Sequence, residues 1–285
     1  MSHSDASKSS QHVPSVPAAQ AVHHESRNAS NSAGYLLPTL HALASSGSRP
    51  NLTLLDVGAG SGTISVTLAQ AVAPCGGTVV ATDVNPGILP RAQAIADAAG
   101  VTNLTFQQAD ALSLPFPDGS FDVVHCHQVL THIKAPWDAL REMVRVAKPG
   151  GVVAAREGDM VTEAVWPPLP GLLRFHDLAA AAMRSYGGSN TAGRELLSWA
   201  LKAGVERERI GYSVGTWSYS SKEERQVWAR GMRQQLQEGR LRTAGLEKGL
   251  ATEADMEEMD KAWEEWEERD DAMLAMMSGE ILIQK

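Results

Sequence analysis

The stretch LLDVGAGSGTIS, residues 54–65, decides how this chain is read. An apolar run closes on Asp56, and Gly58, Gly60 and Gly62 follow at alternate positions. A strand that turns into a helix through glycines leaves backbone N–H groups uncovered at the helix start, where a nucleotide-like ligand can approach. The stretch therefore predicts the first unit of a parallel α/β sheet with a ligand at its turn.

Working outward, strands and helices alternate. Buried strands are predicted at TVVATD (78–83), LTFQQAD (104–110), 121–126 and VVAARE (152–157). Helical spacing runs through 62–73, 86–100 and 136–151, two of these stretches ending in glycines. Such alternation implies right-handed βαβ units. Upstream, 23–46 carries capping residues and leucines at helical spacing, with Pro38 as a kink or the start of a second helix. Residues 1–22 are rich in Ser, Ala, Pro and His and read as a disordered tail. Past residue 160 the alternation loosens. A helix is predicted at 193–205, a strand at 209–220, helices over 221–250 and 252–277, and a last strand at 279–285. Thr252 and Asp255 make a capping box, and Met256, Met259, Trp263, Trp266, Met273 and Met277 form one apolar stripe. The stripe is expected to pack against the sheet or the preceding helix.

Charge narrows the partners. The 285 residues carry a formal net charge of −8, but 252–271 alone holds 11 acidic and 2 basic residues. The rest is nearly neutral, so there is no basic footprint for nucleic acid. No apolar run is long enough for a membrane span. Cys75 and Cys126 make no CxxC pair, and residues 1–22 contain no Arg. A reducing, cytoplasmic setting is the expectation.

The strand ends then identify the ligand. Asp56, Asp83 and Asp110 each sit at or near the end of a predicted strand, where open α/β sheets bind ligands. A dinucleotide turn wants its third glycine at 63, which is Thr. An acid before the turn is poor design for a pyrophosphate but favourable for a ligand with an ammonium and a sulfonium. The expected ligand is S-adenosyl-L-methionine rather than a nicotinamide. Asp83 would accept from the ribose hydroxyls and Asp110 from the adenine amine, with Ile88 and Ala111 on either side of the ring.

LLDVGAGSGTISVTLA, VVATDVNPGILPRAQ, FQQADALSLPFPDGSFDVVHCHQVLTHI and ALREMVRVAKPGG together resemble class I S-adenosylmethionine-dependent methyltransferases, and among them the ubiquinone/menaquinone-biosynthesis type. The resemblance implies one Rossmann-like domain over 23–285, with strand order 3-2-1-4-5-7-6 and an antiparallel seventh strand. It implies cover helices at 23–46 and a helical insertion at 221–277. It assigns Gly58, Ala59 and Gly60 to the methionine part of the donor, Asp83 to the ribose, and Asp110 and Ala111 to the adenine, and it adds Val84 and Asn85 to the donor site. His127 and Gln128 would lie near the sulfonium, and Tyr35 would belong to the N-terminal cover over the donor. S-adenosyl-L-homocysteine is the implied product.

Methyl transfer is an in-line displacement that disperses charge, so a dry and aligned site accelerates it. A general base is needed only for a weakly acidic acceptor. His132 is the candidate base, while His125 reads as structural; the three histidines of HCHQVLTH are not taken as a metal site. Glu157 and Asp159 are further acids near the expected cleft. Trp166, in the rigid loop AVWPPLPGL, is the expected substrate contact alongside His132. The expected function is methylation of a small, fairly apolar molecule by a monomer or homodimer. The rivals are a donor-binding protein that transfers nothing and a protein or RNA methyltransferase.

Overall fold

The computed structural model describes residues 24–45 and 49–285, so the tail expected at 1–22 lies outside the described residues. The N-terminal cover is short: α1 (Ala29–Ser32), capped by Asn28, and α2 (Leu37–Ser45). Then come β1 (Thr53–Val57), α3 (Thr63–Val72), β2 (Thr78–Asp83), α4 (Leu89–Ala98), β3 (Leu104–Gln108), β4 (Phe121–His127), α5 (Pro136–Val146) and β5 (Ala147–Gly158). All seven residues of β4 are buried, as a central parallel strand covered on both faces requires.

The second half consists of β6 (Ala164–Trp166), α6 (Pro170–Ser185), α7 (Ala192–Lys202), β7 (Ile210–Tyr219), α8 (Lys222–Gln237), α9 (Arg240–Glu247), α10 (Glu253–Glu268) and β8 (Met273–Gln284). The sheet runs β3-β2-β1-β4-β5-β8, and β7 pairs along the other edge of β8. β8 is antiparallel to β5, β6 and β7. The expected order therefore holds, with the three-residue β6 as an addition that continues the β5 edge. None of the described helices is long and apolar enough to cross a membrane.

Neighbouring strand residues point to opposite faces, so Leu55, Val124 and Val153 pack under α5 and α7 while Leu54, Val123 and Val152 pack under α2 and α3. A third core forms among α6, α8 and α10, around Leu172, Phe175, Met232, Met259, Trp263 and Trp266. The rings of Phe175 and Trp263 meet edge-on at 5.2 Å. These helices make a roof beyond the sheet.

Several boundaries differ from the sequence reading: the helix expected over 136–151 stops at Val146, and β5 begins at Ala147 rather than at 152. The helix expected at 252–277 stops at Glu268, and Met273 and Met277 lie on β8, which supplies twelve residues rather than seven. The helix expected at 221–250 divides at Gly239 into α8 and α9. The capping box does form: Thr252 Oγ1 accepts from the Asp255 N–H, and Asp255 accepts from the Thr252 N–H. The acidity of α10 is partly met by Arg233 of α8, which reaches Asp260, Glu264 and Glu267 at 3.2–3.4 Å. The stripe residues Met256, Met259, Trp263 and Trp266 are buried in the roof's own core.

α7 approaches β8 through two glycines. A Cβ on Gly279 would lie 1.9 Å from the Gly193 carbonyl oxygen. Gly279→Ala is therefore expected to cost about 3 kcal/mol or more, since backbone rather than a flexible side chain must yield. Urea denaturation checks this, and an unchanged midpoint would show that the close approach is not needed.

Candidate functional site

The turn after β1 has left-handed backbone at Gly58 (φ +70°), Gly60 (φ +56°) and Gly62 (φ +77°), a conformation that disfavours side chains. The three glycines serve different ends. A Cβ on Gly58 would overlap Val129, and one on Gly62 would overlap Phe106. A Cβ on Gly60 would meet nothing within 4 Å, so the backbone there borders open space. The Gly60 N–H donates to Asp83 Oδ2 and the Asn85 N–H to Asp83 Oδ1, each at 2.9 Å. Asp83, at the tip of β2, is thus fixed by backbone. Burial pushes its carboxyl up from its ordinary value, against the pull of those N–H groups.

Asp56 is placed differently. Its oxygens accept from Ser65 Oγ at 2.5 Å and from His125 Nδ1 at 2.8 Å, so both are engaged within the protein. Asp56 borders the cavity but is tied to α3 and β4. His125, fully buried, is its structural partner.

β4 delivers His127 and Gln128 to the same place. His127 lies parallel to Trp217 of β7, with centroids 5.6 Å apart. Burial, then Arg27, His125 and Arg156, hold its pKa well below the usual histidine range. Gln128 has φ +56°, unusual for a non-glycine, and its N–H donates to the Arg156 carbonyl. Neither His127 Nε2 nor Gln128 Nε2 has a hydrogen-bond partner among the described residues.

The chain then makes a single 3-10 turn, Leu130–His132. Glu157, at the end of β5, accepts from the N–H groups of Val129 (2.9 Å), Leu130 (2.8 Å) and Thr131 (3.2 Å). It is a buttress for this turn, and Asp159 is likewise occupied by Arg194. Burial brings the Glu157 carboxyl up to about 7, outweighing the three donors. His132 ends the buttressed turn. Burial, then Arg240 and Arg27, push its pKa down to about 3, and its Nδ1 is buried without a partner among the described residues.

These groups border one cavity of about 400 Å³, within the range of small-molecule sites. Its floor is the glycine turn with Asp83, Asn85 and Ile88. Its ceiling comes from α6 (Phe175, Met183), α8 (Trp228, Met232) and α9 (Arg240, Leu241). Of the residues named from sequence, Asp56, Gly58, Ala59, Gly60, Asp83, Asn85, Ile88, His127, Gln128 and His132 border it.

Five named residues do not. Tyr35 packs beside the core under α2 and α3. Val84 is 43% exposed on the outer surface. Ala111 lies in the core under α5, and Asp110 Oδ1 accepts from the Leu112 N–H at 2.8 Å, closing its own turn. Trp166, the expected substrate contact, is 54% exposed on β6, with its carbonyl accepting from Trp266 Nε1. Phe175, Tyr186, Trp217 and Trp228 are the aromatic walls instead. Sequence reading also missed Arg27, whose guanidinium sits 4.3 Å over the Trp217 ring.

Residues 55–155 match the profile of a family described as "Methyltransferase domain". The chain is 32% identical over 248 residues to an uncharacterized methyltransferase of Schizosaccharomyces pombe, an alignment covering 81% of this chain and 84% of that protein. It is 32% identical over 180 residues to the demethylmenaquinone methyltransferase of Clavibacter sepedonicus, covering 62% of this chain and 69% of that protein. The crystal structure of a putative methyltransferase from Bacillus halodurans shares the fold, with a TM-score of 0.51 at 20% identity over 87% of this chain and 98% of that one.

Glu157 gives this site a pH signature. Its folded value of about 7 lies above the ordinary 4.5, so between these the folded protein keeps a proton that the unfolded chain has released. Stability from this group therefore falls as pH rises from about 4.5 to about 7. From pH 5 to 8 the parent is expected to lose about 2–3 kcal/mol more than Glu157→Gln. Urea denaturation of both proteins at the two pH values checks this, and equal losses would contradict it.

Proposed function

The chain belongs to the class I S-adenosylmethionine-dependent methyltransferases, and from this we propose that it methylates a small, largely apolar molecule seated between the glycine turn and the helical roof. The methyl donor of this family is S-adenosylmethionine, which supplies a methyl group activated by a sulfonium. The observation that carries the reading is that one cavity joins a side-chain-free turn to an apolar ceiling.

The residues present fit the donor. Gly58, Ala59 and Gly60 offer backbone without bulk, and the space at Gly60 is the cradle a Cβ would otherwise begin to fill. Asp83 is held by two N–H groups with its carboxylate bordering the cavity, where it would accept from the ribose hydroxyls, and Asn85 and Ile88 flank it. His127 Nε2 and Gln128 Nε2, without hydrogen-bond partners among the described residues, would lie on the side expected for the sulfonium. Asp56, only 2% exposed where Asp83 is partly open, would act by its charge rather than by a direct hydrogen bond. Asp110, Ala111, Val84 and Tyr35 have no part in this proposal.

For the transfer step, the roof excludes water from a reaction that disperses charge, and the walls align the acceptor. His132 is neutral above about pH 3, so its Nδ1 can accept a proton or a hydrogen bond throughout the working range. So low a pKa makes it a weak base, and its role is to orient an acceptor that is already acidic. The apolar ceiling of Phe175, Met183, Met232 and Leu241 supports a small organic acceptor over a macromolecule.

Two outcomes test the reading. Asp83→Ala is expected to weaken S-adenosylhomocysteine binding by about 1–3 kcal/mol, since it removes a charged acceptor of two hydroxyls; unchanged affinity by calorimetry would remove Asp83 from the donor site. With methyl-labelled donor and a cell extract, label is expected in the low-mass, solvent-extractable fraction. Label confined to protein or RNA, or no transfer at all, would contradict a small-molecule acceptor.

A further inference from the structure

The charged groups around the cavity are not evenly committed. Each carboxylate bordering it has partners: Asp56 holds Ser65 and His125, Asp83 holds two N–H groups, and Glu163 pairs with His176 of α6. The cations differ. Arg156, nearby, reaches Glu280 at 3.4 Å and donates to the Asn31 carbonyl at 2.6 Å. Arg27 has the face of Trp217, but among the described residues its guanidinium has no carboxylate within ion-pair distance and no hydrogen-bond acceptor. Burial lowers its pKa to about 10, against the raising influence of Tyr219 and Glu157 and with that of Arg156. A second cation, Arg240 of α9, borders the same cavity on the roof side.

A partly buried guanidinium at the cavity wall with no ion-pair partner among the described residues is placed to take an anionic ligand. The same cavity is bordered by the rings of Trp217, Trp228 and Tyr186 and by His127 Nε2 and His132 Nδ1, which have no hydrogen-bond partner among the described residues. We propose that the acceptor is an aromatic compound bearing an acidic group, a carboxylate or an ionised phenol, and that Arg27 is the residue that holds that anion. This rests on methyl transfer taking place in this cavity and narrows its substrate class. It also agrees with a site whose imidazoles are too weakly basic to ionise a neutral alcohol. The donor carries a carboxylate of its own, so the same guanidinium chemistry has a second possible source, which the test must separate.

The experiment uses the full chain saturated with S-adenosylhomocysteine and two probes, 2-naphthoate and its methyl ester, titrated by calorimetry against the parent, Arg27→Gln and Arg27→Lys. The parent is expected to bind the acid about tenfold or more tightly than the ester. Arg27→Gln should bring the two within about threefold while its affinity for S-adenosylhomocysteine stays within about twofold, and Arg27→Lys should restore part of the preference. Equal binding of acid and ester by the parent overturns the proposal without recourse to any variant. So does failure of both probes to bind at millimolar concentration. If Arg27→Gln instead weakens S-adenosylhomocysteine and leaves the acid preference intact, Arg27 holds the donor's carboxylate and the proposal is wrong. If the parent does not bind S-adenosylhomocysteine at all, the underlying methyltransferase reading of the cavity fails, which is a separate result.

Discussion

The site depends on a backbone that reverses from β1 into α3 with no side chains in the way. Left-handed φ at Gly58, Gly60 and Gly62 makes that reversal possible. A chain of contacts hangs on it. The missing Cβ of Gly58 lets Val129 close against the turn. Val129 belongs to a segment whose N–H groups converge on Glu157, and that convergence fixes where His132 emerges. On the other side, the Gly60 N–H orients Asp83. Both halves of the cavity floor are thus referred to the same few residues.

The roof is a second construction with its own core. Its helices bury Trp263 and Trp266 fully. α10 turns its acidic residues outward, some of them toward Arg233 and Arg174 of neighbouring helices. The charge run at 252–271 is therefore the solvated face of the roof, while the ceiling over the cavity is lined largely by Phe, Met, Leu and Trp. Polarity changes across the cavity, from acids at the floor to the partly buried cations Arg27, beside β7, and Arg240, on α9. That gradient suits a cationic donor below and an acidic acceptor above.

Much of the floor was legible in the sequence because it obeys local rules. β1, β2 and β4 each hold a short apolar stretch at their centre, and Gly60 and Asp83 sit where the register of adjacent parallel strands brings tips together. The roof was harder. Met273 and Met277 continue the helical stripe of α10 by spacing, yet Arg269 leaves the helix and pairing with β5, β6 and β7 claims those residues for β8. Helix α6 was not foreseen, although Pro170 at its first turn is a recognisable start. Trp166 misled because a tryptophan beside prolines reads as a pocket wall, whereas β6 sits beside β8 with that ring left 54% exposed. Arg27 was invisible for a different reason. Its significance comes from Trp217, far along the chain, and no local pattern connects the two.

The central claim is that the glycine turn and Asp83 form the donor site and that the roofed space beside them is the acceptor's. A crystal structure of the chain with S-adenosylhomocysteine tests it most directly. The account predicts ribose hydroxyls on the Asp83 carboxylate, the homocysteine portion along Gly58 and Gly60, and its sulfur directed toward the space below α6 and α8. Ligand bound with its ribose away from Asp83, or with its sulfur turned away from that space, would contradict it.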